Sequence, residues 1–158
     1  MTLTLRFTRL SDDLHRFEYT RADGTSETMA LESQSFLVHD LWHYAVESEA
    51  ALRGSFYGLL DRIGGYAEIS VNAGGFGGEA QLTEMIVGLL TQPVTFGETA
   101  EVFVERGRSS FEDMNLISPR WFTPVFVEAV RERMRQLQGE WEATPFGDTM
   151  TLTFEPAR

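Results

Sequence analysis

The two ends of the chain carry the same alternating pattern. Leu3, Leu5 and Phe7 alternate with Thr2, Thr4, Arg6 and Thr8, while Met150, Leu152 and Phe154 alternate with Thr149, Thr151 and Thr153. Successive side chains of a strand point to opposite faces, so each segment reads as a strand with one apolar and one polar face. A sheet that is apolar on one face must be covered, and here the cover has to come from the middle of the chain. A further strand is expected over Leu14–Thr20, where His15, Phe17 and Tyr19 oppose Leu14, Arg16, Glu18 and Thr20. The Asp23-Gly24 pair then signals a hairpin into a strand over 25–31. These patterns predict an α+β fold: an antiparallel sheet built from the N-terminal strands and the C-terminal strand, near residues 2–9, 14–21, 25–31 and 149–155, covered on one side by three or four helices. No linker divides the chain, so a single domain of residues 1–158 is expected.

The middle of the chain reads as helical. Leu37, Leu41, Ala45 and Leu52 recur at helical spacing and predict a central helix over 36–52, with Ser35 as its N-cap and Arg53-Gly54 as its end. A second helix is expected over 79–90, with Leu82, Ile86 and Leu89 on one face. Residues 99–106 fit a helix or a strand, and the helix is preferred. The last helix is the best marked, with Thr123 as N-cap, Pro124 at its first position, a stripe of Phe126, Val130, Met134 and Leu137, and Gly139 as the expected stop. Between 72 and 78, Gly74, Gly75, Gly77 and Gly78 predict a flexible loop. That loop lacks both a G-x-G-x-x-G order and a following lysine, so it is a poor phosphate cradle.

Composition removes whole classes of chemistry. The 158 residues include no cysteine, and all 13 basic residues are arginine. Disulfides, thiolate-based metal sites, thiol nucleophiles and lysine Schiff bases are therefore excluded. Against those 13 cations stand 24 acidic residues, a formal charge of −11. Nucleic acid and anionic membrane surfaces are expected not to be partners. No apolar run approaches the ~18 residues needed for a membrane span, and no apolar signal core opens the chain. A cytoplasmic protein is expected.

Histidine and carboxylates remain as the chemistry at hand. Of three histidines, His39 and His43 stand four residues apart, in His39-Asp40-Leu41-Trp42-His43, with Glu47 a further turn on. Two imidazoles at that spacing lie on one helix face and can share one ion, the spacing used by zinc proteases. Those enzymes place a glutamate directly after the first histidine, where this chain has the shorter Asp40. Glu47 lies eight residues beyond His39, about 12 Å along a helix axis, too far to share the ion comfortably. Asp40 and Glu47 are therefore candidates for orienting groups or for a base. A third ligand must come from another element, with His15, Asp61, Glu68, Glu79 and Glu84 as candidates. The simpler reading is that these groups form the hydrogen-bonded polar edge of a mostly buried helix. Arg131, Arg133 and Arg135 read as a salt-bridged surface, and Phe36, Trp42, Tyr44, Phe56 and Tyr57 as core.

The segments F-L-V-H-D-L-W-H-Y-A-V-E (residues 36–47) and G-S-F-Y-G-L-L (residues 54–60) resemble a group of small uncharacterised bacterial proteins. Its members share an H-D-L-x-H-[YF]-x-V-E segment followed by G-[FY]-x-G. Trp141, Pro145, Gly147 and the final strand fit the same group. The resemblance implies one bacterial domain and carries no known activity with it.

Two functional expectations follow. The first is a non-catalytic binding or interaction module that uses no cofactor and takes a small molecule or a protein as its partner. The second is a metal-dependent hydrolase or metal-binding protein that holds zinc or another divalent metal at His39 and His43. The Thr- and Arg-rich outer sheet face fits solvent or a homodimer contact.

Overall fold

The computed structural model describes residues 2–72 and 75–155. Strands β1 (Leu3–Arg9), β2 (Leu14–Thr20), β3 (Ser26–Glu32) and β4 (Thr149–Phe154) form one sheet in the order β3-β2-β1-β4. Every neighbouring pair is antiparallel. The two chain ends pair directly, with Leu5 opposite both Tyr19 and Leu152, and Phe7 opposite both Phe17 and Met150. All the inward residues expected from the alternation are buried, including His15. Thr4, Arg6, Arg16 and Glu18 occupy the other face, where Arg6 donates to Glu18 at 2.7 Å. Two glycines with φ near +86° make the turns possible: Gly24 between β2 and β3, and Gly147 just before β4.

The α+β class is as expected, but the cover is larger. Among the described residues it comprises α1 (Val38–Ala50), α2 (Phe56–Arg62), α3 (Tyr66–Asn72), α4 (Gly78–Leu90), α5 (Ala100–Asp113) and α6 (Pro124–Ala143). The two unforeseen helices are short. In α2, Phe56, Tyr57, Leu59 and Leu60 are all buried, so no polar face gives it a period. Residues 99–106 are helical, as preferred, and belong to α5.

Three helix ends differ from expectation. Ser35 is not the cap of the central helix. Glu32, the last residue of β3, accepts the amide hydrogens of Gln34 at 2.7 Å and Ser35 at 2.9 Å, and a π-helical turn over Ser33–Leu37 leads into α1. A carboxylate there suits the positive end of the helix better than a hydroxyl. The helix then ends at Ala51, before Arg53-Gly54, with a left-handed residue (φ 54°). Gly139 does not stop α6, which continues to Ala143. Trp141 packs edge-on to buried His15, with ring centroids 6.1 Å apart, and that burial carries the helix past the glycine to the Pro145 turn. Thr123 does cap α6, accepting the Phe126 amide hydrogen at 3.2 Å.

In the glycine-rich stretch, Asn72 closes α3 and Gly78 opens α4; residues 73 and 74 lie outside the described ones. Arg135 and Arg131 pair with Glu132 and Glu128 within α6, whereas Arg133 reaches Glu49 of α1 at 2.5 Å. A single buried cluster joins the sheet to the helices, and α1 runs through it. Residues 40 to 47 of α1 are all buried, so Asp40, His43 and Glu47 of its polar arc are covered and only His39 stays partly open.

Candidate metal centre

His39 and His43 lie side by side on one face of α1, with ring centroids 4.6 Å apart and planes tilted by 57°, as neighbours at four-residue spacing. The third group is Glu84 of α4. Its Oε1 lies 3.1 Å from His43 Nε2 and its Oε2 lies 3.8 Å from His39 Nε2. One ligand atom from each of the three residues lies within 4.8 Å of the others. In a tetrahedral site with bonds of about 2.1 Å, neighbouring ligand atoms stand about 3.4 Å apart. The two imidazole–carboxylate separations bracket that value.

The opposite nitrogens of both rings are held by carboxylates. His39 Nδ1 is 3.3 Å from Asp40 Oδ1, and His43 Nδ1 is 3.1 Å from Glu47 Oε1. Each carboxylate is itself anchored. Tyr66 donates its hydroxyl to Asp40 Oδ2 at 2.9 Å, and the Tyr57 amide donates to Glu47 Oε2 at 2.9 Å. Glu47 therefore satisfies a backbone donor at the start of α2 while it orients His43. Carboxylates on Nδ1 set the tautomer that presents a bare Nε2 to a metal. Neither Asp40 nor Glu47 is on the Nε2 side, where a base for metal-bound water would stand.

Electrostatics bind the cluster tightly. Burial opposes protonation of His43, but Glu47 and Glu84 outweigh it and push its pKa up to about 9. Burial alone would raise Glu84, yet the two imidazoles hold it down to about 2. The Asp40 and Glu84 contacts raise His39, and burial raises Glu47. Even so, His43 Nε2 is a buried atom without an aligned hydrogen-bond partner; the 3.1 Å approach of Glu84 has the separation of an ion pair but not the direction of a hydrogen bond.

A cavity of about 300 Å³ opens beside this cluster, lined by Ser35, Phe36, His39, Phe56, Ser70 and Glu84. His43 is closed off from it, its side chain 1% exposed, while those of His39 and Glu84 are 42% and 29% exposed. The open side of the cluster therefore faces the cavity.

The remaining candidates go elsewhere. His15 sits inside the sheet with Nδ1 3.0 Å from Ser33 Oγ. Glu79 accepts the amide hydrogens of Arg53 and Gly54, Asp61 is buried in α2, and Glu68 is exposed on α3. Glu84 had a sequence signal of its own: it stands four residues after Ala80 and three before Val87, both on the buried face of α4. Trp42, Tyr44, Phe56 and Tyr57 are core, and only Phe36 of that aromatic stretch reaches the surface. No helix among the described residues is long and apolar enough to cross a membrane. Comparison with protein-family models, curated proteins and solved structures finds no match.

Proposed function

We propose that this is a metal-dependent binding protein in which His39, His43 and Glu84 hold zinc or a related divalent ion and the adjoining cavity brings a small ligand to it. One observation carries the reading: two Nε2 atoms converge on one carboxylate while each Nδ1 is held by a different anchored carboxylate. Two imidazoles and a carboxylate are a common donor set for zinc sites that keep a position open. This reading takes the metal-binding expectation, without hydrolysis, in place of the cofactor-free module. Hydrolysis would need a base at the open position, and Asp40 and Glu47 are committed to Nδ1.

The test uses untagged protein, loaded with zinc and desalted, followed by elemental analysis. The expected result is stoichiometric zinc in the wild type and its loss in His39→Ala and Glu84→Gln, both partly exposed positions whose variants should keep the wild-type circular dichroism. Wild-type protein that retains no zinc overturns the reading. A second reading, a metal-free network that only supports the fold, is favoured by Glu47, which links His43 to the start of α2. Under that reading the same variants lose stability and no metal is found.

A further inference from the structure

The cavity over His39 and Glu84 has walls of two chemical kinds. Phe36 and Phe56 supply ring surface, while Ser35 and Ser70 supply hydroxyls. Ser35 is released for this role because Glu32 caps the turn in its place. Phe56 also packs against His43, with ring centroids 5.4 Å apart, which makes the wall next to the cluster apolar. At about 300 Å³ the cavity stands at the small end of the range for small-molecule sites, about 300–1,000 Å³.

Its charge is equally specific. Among the described residues no arginine lines the cavity, and the chain has no lysine. The carboxylates in contact with the two histidines are Asp40 and Glu84 for His39, and Glu47 and Glu84 for His43. A divalent ion would add two positive charges to two neutral imidazoles and three carboxyl groups. Even with one carboxyl protonated, the loaded site has no positive charge to spare. Sites that recognise phosphate or carboxylate ligands normally add an arginine fork to the metal, and this one has none.

We infer that the cavity takes a small neutral ligand that presents one metal-binding donor on a flat apolar body, and that it discriminates against phosphate- and carboxylate-bearing molecules. The ring body would lie between Phe36 and Phe56 while the donor occupies the open coordination position. This rests on the metal-site reading, and the experiment separates the two.

The experiment loads the untagged protein with cobalt(II), whose visible absorption reports coordination. The loaded protein is titrated with imidazole, a phenyl-substituted imidazole, phenylphosphonate and benzoate. The phenylimidazole should change the spectrum and bind about three- to tenfold more tightly than imidazole, as expected for one added aromatic contact. Phenylphosphonate and benzoate should bind at least about tenfold more weakly than the phenylimidazole. Phe36→Ala, at a partly exposed position, should weaken phenylimidazole binding more than imidazole binding and so reduce the preference for the phenyl group. Absence of a cobalt spectrum removes the metal reading and this inference with it. A cobalt spectrum that phenylimidazole does not alter, or that phenylphosphonate alters at equal or lower concentration, overturns the inference and leaves the metal site standing.

Discussion

Glu47 and Tyr57 are joined by a buried hydrogen bond, in which the Tyr57 amide donates to Glu47 Oε2 at 2.9 Å while Glu47 Oε1 holds His43. One carboxylate thus ties the start of α2 to the candidate metal centre. Removing it leaves a buried amide without an acceptor and takes an anionic partner from a buried imidazole. Glu47→Ala should therefore cost about 3 kcal/mol or more of folding stability. Glu47→Gln keeps the size and one acceptor for Tyr57, so it should cost clearly less. Urea unfolding of both variants is the check, and equal losses would show that the amide bond contributes nothing.

Ala51 ends α1 in a left-handed conformation, with φ 54° and ψ 44°. Its backbone amide still reaches the carbonyl of Ser48, so the geometry is wanted even though the side chain opposes it. Ala51→Gly removes that opposition at the cost of a more flexible unfolded chain. A net gain of about 0.5–1 kcal/mol is expected, read as a higher melting temperature.

Gly107 of α5 lies under the ring of Phe122. A Cβ at this position would stand 2.7 Å from two ring carbons. Phe122 is fully buried and packs against Phe103, Phe111, Trp121 and Phe126, so it has little room to move. Gly107→Ala should lose about 1–3 kcal/mol through overpacking despite alanine's better helix propensity. A variant as stable as the wild type would mean that this aromatic cluster yields.

All four tyrosines have pKa values raised above 10 on folding, with burial as the largest cause in each. Tyr19 is pushed up to about 12 by burial and by its hydrogen bond to Glu27. A group raised on folding contributes stability that is complete below its unfolded value and is lost as pH climbs through the folded one. Stability should therefore hold up to pH 10 and fall from there, with the Tyr19 contribution lost by about pH 12. Urea midpoints across that window test this. Tyr19→Phe should flatten the decline, and an unchanged slope would assign it to the other tyrosines.

What the sequence determined by itself were the features encoded by neighbours along the chain. Alternation specified three of the strands and their buried faces, because a strand's side chains have a period of two, and the Asp23-Gly24 turn signalled the fourth. Helical spacing placed His39 and His43 on one face, and Thr123-Pro124 marked the start of α6. The tertiary structure decided whatever depends on residues far apart in sequence. Glu84 became the partner of the two histidines only because α4 lies against α1, and among so many acidic residues its local pattern was a weak signal. The cap at Glu32 displaced Ser35 because β3 leads straight into the helical turn, where a carboxylate can meet two free amides. Trp141 carried α6 past Gly139 because burial against the sheet outweighs the local preference of a single glycine. Asp40 and Glu47 were legible as neighbours of the histidines, but their place on Nδ1 was set by Tyr66 and Tyr57, which reach them from α3 and α2. Local rules act through backbone geometry within a turn or a strand, whereas the candidate site is made where four separate helices, α1 to α4, bring polar groups together.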